Sequence, residues 1–154
     1  MFEVILYEPE IPPNTGNIMR LCANTGCRLH LVAPLGFDLD EKKLRRAGLD
    51  YRDWVDVIEH ESWDHLLAAH ENMRIFAATT KATQSLFKVC FQPGDFLLFG
   101  PETRGLPDSV LDELDSNRKL RIPMQPNSRS LNLANAVSVV LYEALRQQGY
   151  GDSQ

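Results

Sequence analysis

The sequence predicts one α/β domain over residues 1–154, with a mostly parallel sheet and helices on both faces. Three observations carry this reading. Short apolar runs alternate with helix-patterned segments along the chain, the order that a parallel sheet requires. No repeat, low-complexity linker or composition break divides it. With 44% hydrophobic and 24% charged residues, a chain of 154 can bury one core and is too short for two comfortable ones.

The elements follow in order. Phe2–Tyr7 reads as the first strand. Asn14–Thr25 reads as a helix, with Ile18, Leu21, Cys22 and Thr25 on one face and Gly26 just past its end. Arg28–Ala33 is a second strand. Asp38 and Glu41 form a capping box for a short helix that ends at Gly48. Val55–Glu59 is a third strand, and Ser62 caps a helix over Trp63–Ala69. Arg74–Thr79 and Phe96–Gly100 are apolar strands. Pro107, at a first helical position, opens a helix through Leu114. Lys119–Ile122 is the last strand, and Leu131–Gln148 is a long helix closed by Gly149. Apolar residues surround that helix on nearly every side, Val137, Val139, Val140, Leu141 and Leu145 among them. It is therefore expected to be buried on two sides. A second subunit covers the second side most simply, giving a homodimer; a helix sandwiched inside one chain is the alternative.

Several function classes are excluded. No apolar run approaches ~18 residues, so no membrane span is expected. The first residues lack the basic region of a secretory signal, and a cytoplasmic location is expected. Three cysteines, an odd number without a CxxC pair, point to a reducing compartment and to small buried side chains. A formal charge of −5 excludes a globally basic nucleic-acid binder, though not a locally basic one. His60, His65 and His70 are spaced by five, which on one helix turns each by about 140° from the last. With no HExxH, no metal site is expected. The lack of GxSxG, GxGxxG and Walker patterns removes the common hydrolase and nucleotide-binding readings.

Ligands of open α/β sheets bind beyond the carboxyl ends of the strands. Four segments after strands are rich in Gly, Pro, Asn, Ser and charge: Glu8–Asn17, Thr80–Gln84, Gly100–Gly105 and Pro123–Asn132. Ordinary turns need fewer such residues. Four on one rim favour a ligand cage.

Three motifs in these segments resemble the SPOUT superfamily of RNA methyltransferases. They are Asn14-Thr15-Gly16-Asn17-Ile18-Met19-Arg20, then Leu98-Phe99-Gly100-Pro101-Glu102-Thr103-Arg104-Gly105-Leu106, then Ile122 through Val139 with Arg129-Ser130-Leu131-Asn132 at its centre. All three in order are highly specific. The chain is most similar to the minimal, single-domain branch, whose members 2′-O-methylate the wobble nucleotide, position 34, of leucine tRNAs. The resemblance implies a deep trefoil knot in the C-terminal part of the sheet, with the cofactor held in the knot. Topology rules alone would not suggest a knot.

The cofactor implied is S-adenosyl-L-methionine. Family correspondence places it against Ala78, Thr79, Gly100, Ile122 and Leu131, with Ser130 close by. Gly100 suits a site where the backbone approaches a ring closely; Ile122 and Leu131 also read as plain core. Glu102 is implied to hold the motif loops or one end of the cofactor, or else to form a surface ion pair with Arg104 or Arg129. Asn132 stands at an anion-binding helix start or is only its cap.

The reaction implied is attack by a ribose 2′-oxygen on the sulfonium methyl, which asks the protein to align the atoms and deal with one proton. Family logic gives Arg20 the key role, oriented by Asn14. A guanidinium stays protonated, so Arg20 is read as an electrostatic partner of the substrate phosphate and of the forming alkoxide. Tyr142 is the rival proton acceptor, reaching a partner's site across a dimer interface, or it only packs there.

Basic residues cluster despite the acidic total. Lys42, Lys43, Arg45 and Arg46 crowd one segment, and Arg118, Lys119, Arg121 and Arg129 another; Arg20 and Lys81 join the same rim. This is read as a phosphate track for a tRNA anticodon stem-loop, whose splayed nucleotides expose a 2′-hydroxyl. A non-catalytic dimeric RNA-binding protein, and the same chemistry at another RNA position, are the alternatives.

Overall fold

The computed structural model describes residues 1–38 and 56–150. The capping box of Asp38 and Glu41, the helix ending at Gly48, and Lys42, Lys43, Arg45 and Arg46 are expectations that fall outside the described residues, apart from Asp38 itself.

Six strands form one sheet: β1 (Glu3–Tyr7), β2 (Arg28–Val32), β3 (Val57–His60), β4 (Ile75–Ala78), β5 (Phe96–Phe99) and β6 (Lys119–Leu120). Their order is β3-β2-β1-β5-β4-β6, and every paired strand is parallel. Among the described residues four α-helices accompany them: α1 (Pro12–Thr25), α2 (Trp63–Ala69), α3 (Asp108–Leu111) and α4 (Leu133–Gln147).

The apolar runs explain the layering. Side chains alternate across a strand; β1 and β5 carry apolar residues at successive positions, and β2 does so around a central His30. Val4, Leu6, Leu29, Leu31, Leu97 and Phe99 turn to one face, where they pack with Ile18, Met19 and Cys22 of α1 and Val137, Val140 and Leu141 of α4. Ile5, Ile75, Ala77, Phe96 and Leu98 turn to the other, against Trp63 and Leu66 of α2 and Val110 and Leu111 of α3. A sheet covered on both faces needs such continuous hydrophobic strands. Because all strands run the same way, their carboxyl ends share one rim. The chain moves outward from β1 through β2 to β3, then returns to place β5 on the other side of β1. That reversal opens a crevice at the rim.

Most element ends agree with the expectation within two residues, and Ser62 caps α2 by accepting from the His65 N–H at 3.1 Å. Two differ usefully. Pro107 lies just before α3 in extended conformation, and the α-helix stops at Leu111. Beyond it the backbone tightens to three-residue bonds, Glu113 N to Val110 O and Leu114 N to Leu111 O. The last helix starts at Leu133, with Asn132 as its cap. Leu131 stands outside it, 38% exposed.

The last helix also corrects the sandwich alternative. Leu133, Val137, Val140, Leu141, Ala144 and Leu145 form one buried stripe. Val139 and Tyr142 on the outer side remain 40% and 48% exposed. No described part of this chain covers that second side. No helix among the described residues is long and apolar enough to cross a membrane.

Candidate functional site

The three motif segments meet at the carboxyl rim, and three side chains, one from each, join them. Glu102, in the loop after β5, accepts from the backbone N–H of Glu10 at 2.8 Å, from that of Ile11 at 2.7 Å and from Asn14 Nδ2 at 3.2 Å. Asn14 in turn accepts from Asn132 Nδ2 at 3.1 Å. Asn132 Oδ1 takes the Asn135 N–H at 3.2 Å, so the same side chain caps α4.

This network has a local cause. Helix α1 begins with prolines, which fit a first turn because their missing N–H would have no partner there. Its cap position is Ile11, which offers no side-chain acceptor, and its first turn holds no acid. The Glu102 carboxylate compensates from another loop: it bonds the N–H groups of Glu10 and Ile11 just ahead of the helix and places negative charge at the helix's positive end. Glu102 is thus a loop tie rather than an ion-pair partner of Arg104 or Arg129. Arg104 instead approaches Glu8 at 3.3 Å and Glu10 at 3.6 Å. Glu10 accepts from both the N–H and the hydroxyl of Thr103, at 2.9 and 2.7 Å, and these bonds hold its carboxyl below the usual range.

Between the loops lies a cavity of about 290 Å³. Seven of the eight residues expected at a cofactor line it: Ala78, Thr79, Gly100, Glu102, Ile122, Ser130 and Leu131. Asn132 does not; it ties the wall from behind. Sequence reasoning missed Phe99, Leu106, Met124, Leu133 and Ala136 as further apolar walls, and Thr103, Arg104 and Arg121 as polar ones. Several sit inside the recognised motifs, so the signal was present there. Leu133 and Ala136 follow from one helical turn after Asn132.

Gly100 needs a different explanation from the one expected. A Cβ there would overlap the backbone nitrogen of Leu106 and lie 2.6 Å from the carbonyl carbon of Gly105. The glycine makes room for this chain's own loop, which doubles back over it through Gly105 at φ +68°.

The cationic and acceptor residues are more dispersed. Arg20 is exposed on α1. Six residues turn a helix by about 600°, so Arg20 stands roughly 120° around and about 9 Å along from Asn14. The Asn14 amide bonds Glu102 and Asn132. Lys81 lines the cavity and pairs with Asp108 at 2.8 Å, which lowers the Asp108 pKa. Arg129 is exposed, outside the cavity lining. Tyr142 lies on the outer side of α4 and does not line the cavity of its own chain.

The histidines overturn a geometric assumption. His60 closes β3 and His70 follows α2, so they do not share a helix. His30, His60 and His70 come together, with ring nitrogens within 4.8 Å of one another, while His65 points outward to Glu61.

Apolar walls with hydroxyl and charged groups at the rim suit a purine-bearing cation with a carboxylate tail. Comparison with known proteins agrees with that chemistry. Residues 1–142 match the SpoU rRNA methylase family. A tRNA (cytidine(34)-2′-O)-methyltransferase of Escherichia coli strain K12 is 60% identical over 150 residues, covering 97% of this chain and 96% of the relative. A solved structure described as structural insights into the 2-OH methylation of C/U34 on tRNA superposes with a TM-score of 0.91 at 49% identity, covering 97% of each chain. The SpoU methyltransferase AviRb from Streptomyces viridochromogenes, solved in complex with AdoMet, gives 0.81 at 26% identity over 97% of this chain and 58% of that one. From the joined motifs, the shared rim and these matches, the chain belongs to the SpoU rRNA methylase family.

Proposed function

We propose that this chain is an S-adenosylmethionine-dependent methyltransferase that 2′-O-methylates the ribose of the wobble nucleotide, position 34, of leucine tRNAs. It works as a homodimer in the cytoplasm and grips the anticodon stem-loop. The observation that carries the reading is the Glu102–Asn14–Asn132 chain of hydrogen bonds, which gathers three distant motifs around one cavity. The names borne by the full-length relatives support position 34 and the 2′-oxygen.

The residues present fit the methyl donor. Ala78, Gly100, Ile122 and Leu131 would wall the adenine and Thr79 and Ser130 would offer hydroxyls, while Glu102 and Asn132 fix the loops. When bound, the donor supplies an electrophilic sulfonium methyl. This chain's own task is then alignment and charge. Arg20 holds a substrate phosphate and stabilises the developing alkoxide, with Asn14 fixing the start of its helix. Tyr142 of a second subunit faces the same ribose and takes its proton. The uncovered Val139 and Tyr142 supply the dimer surface. Lys42, Arg45, Arg46, Lys81 and Arg129 form the phosphate track. The fold is a single domain over residues 1–154 in which the C-terminal part of the sheet is tied in a deep trefoil knot.

Mapping 2′-O-methyl groups on total tRNA from cells with and without this chain tests the proposal. Loss confined to position 34 of leucine tRNAs supports it. Loss at another RNA position moves the target, and unchanged maps with retained RNA binding would favour the non-catalytic alternative.

A further inference from the structure

Three imidazoles with no part in the cavity meet beneath α2. His30 is central in β2, His60 ends β3, and His70 directly follows α2. His30 is completely buried and His60 nearly so, while His70 is half-buried. His30 Nδ1 lies 2.9 Å from His60 Nε2, and His30 Nε2 lies 2.9 Å from Glu3 Oε1. The His70 ring makes no hydrogen bond among the described residues; it packs edge-on to His30 and against Phe96.

A carboxylate only accepts, so His30 turns its Nε2–H to Glu3; in the neutral tautomer its Nδ1 then accepts from His60 Nε2–H. A carboxylate behind one imidazole and two further imidazoles in front is the arrangement that orients histidine ligands toward a metal.

We propose that His30, His60 and His70, with Glu3 orienting His30, form a binding site for a borderline-soft divalent cation such as Zn²⁺ or Ni²⁺. Imidazole nitrogen suits these ions, and three protein ligands leave a fourth position for water. Bonds of about 2.0–2.1 Å in tetrahedral geometry put ligand nitrogens about 3.3 Å apart. The closest pair is at 2.9 Å and all three ligand atoms lie within 4.8 Å, so modest ring rotations suffice. His70 supplies most of the movement and the entry path, since it follows a helix end and is the ring open to solvent. His60 moves its proton from Nε2 to Nδ1 on binding, with no net release from the neutral ring. Glu3 and Phe96, at the amino ends of β1 and β5, flank His30, and none of the three histidines lines the cavity. A bound ion would tie the edge strand β3 and helix α2 to β2, so its signature is metal content and thermal stability rather than methyl transfer.

The test uses untagged full-length protein, stripped with a chelator and titrated with Co²⁺ as the optical probe and then Zn²⁺. The expected result is one equivalent of Co²⁺ per chain with the strong visible bands of a four-coordinate site, displaced by Zn²⁺, and a higher Tm with Zn²⁺. His70→Ala, at the solvent-facing ligand, weakens binding at least about tenfold while the circular dichroism stays native. Glu3→Gln weakens it about ten- to a hundredfold. His65→Ala, on the outward side of the same helix, leaves it unchanged. Absence of stoichiometric binding to the folded protein, or equal affinity in His70→Ala, overturns the proposal.

Discussion

Replacing Glu102 with glutamine removes a charge and one acceptor while keeping the shape. The carboxylate receives three hydrogen bonds, at 2.8, 2.7 and 3.2 Å, two of them from the backbone N–H groups just ahead of α1. Glutamine keeps one oxygen and turns an NH₂ group toward a donor. A hydrogen bond to a charged group contributes about 1.5–3 kcal/mol, and water recovers part of it where the contact is exposed. The Ile11 contact is exposed and the Glu10 contact half-buried, so a net loss of about 2 kcal/mol is expected. For a domain of this size that lowers Tm by about 4–8 °C. Methyl transfer should suffer more, because displacing the start of α1 by about 1 Å can cost about 10²-fold in rate. Differential scanning fluorimetry and single-turnover transfer of labelled methyl to tRNA measure the two effects. A Glu102→Gln protein with Tm within about 1 °C of the parent and an unchanged rate would refute the assignment of Glu102 as the tie between motifs.

Gly100→Ala should be severe for a purely steric reason. Its Cβ meets backbone atoms of Gly105 and Leu106 that cannot swing away, so about 3 kcal/mol of stability and cofactor binding should be lost together, read by denaturant melts and calorimetry. Glu10 gives an acid-side signature. Its carboxyl is held below its ordinary value of 4.5 by Thr103 first and Arg104 after, so its stabilising effect is complete above that value and fades as pH falls through the lower folded one. Glu10→Gln should flatten stability against pH below about 4.5 and leave the profile near neutrality unchanged. Mixing Arg20→Ala protein with Tyr142→Phe protein should restore part of the activity if the two residues meet across a dimer; no recovery at any ratio counts against a shared site.

The sheet was legible because β1 and β5 are apolar at successive positions, a pattern that double-sided burial imposes. The motif loops were legible as polar, proline-rich segments following strands. Their convergence was not, since Glu102 and Asn132 lie 88 and 118 residues from Asn14 and no local periodicity spans such distances. The α3 prediction overran because Pro107 signals a start but nothing at Asp112 to Leu114 signals the change to tighter turns. Gly100 was read toward a ligand, whereas the neighbour that excludes a side chain is its own loop. The histidine cluster was hidden by treating three spaced residues as one helix when a strand end, a cap and a second strand supply them.

A helix whose start is tied to a carboxylate eighty-eight residues downstream of its own Asn14 is completed late. On the ribosome, α1 leaves the exit tunnel long before residue 102 is made, and β1, which has β2 at hand early, waits for β5 on its other side. The amino-terminal half is therefore finished only when the later loops arrive, a nonlocal order that slows folding.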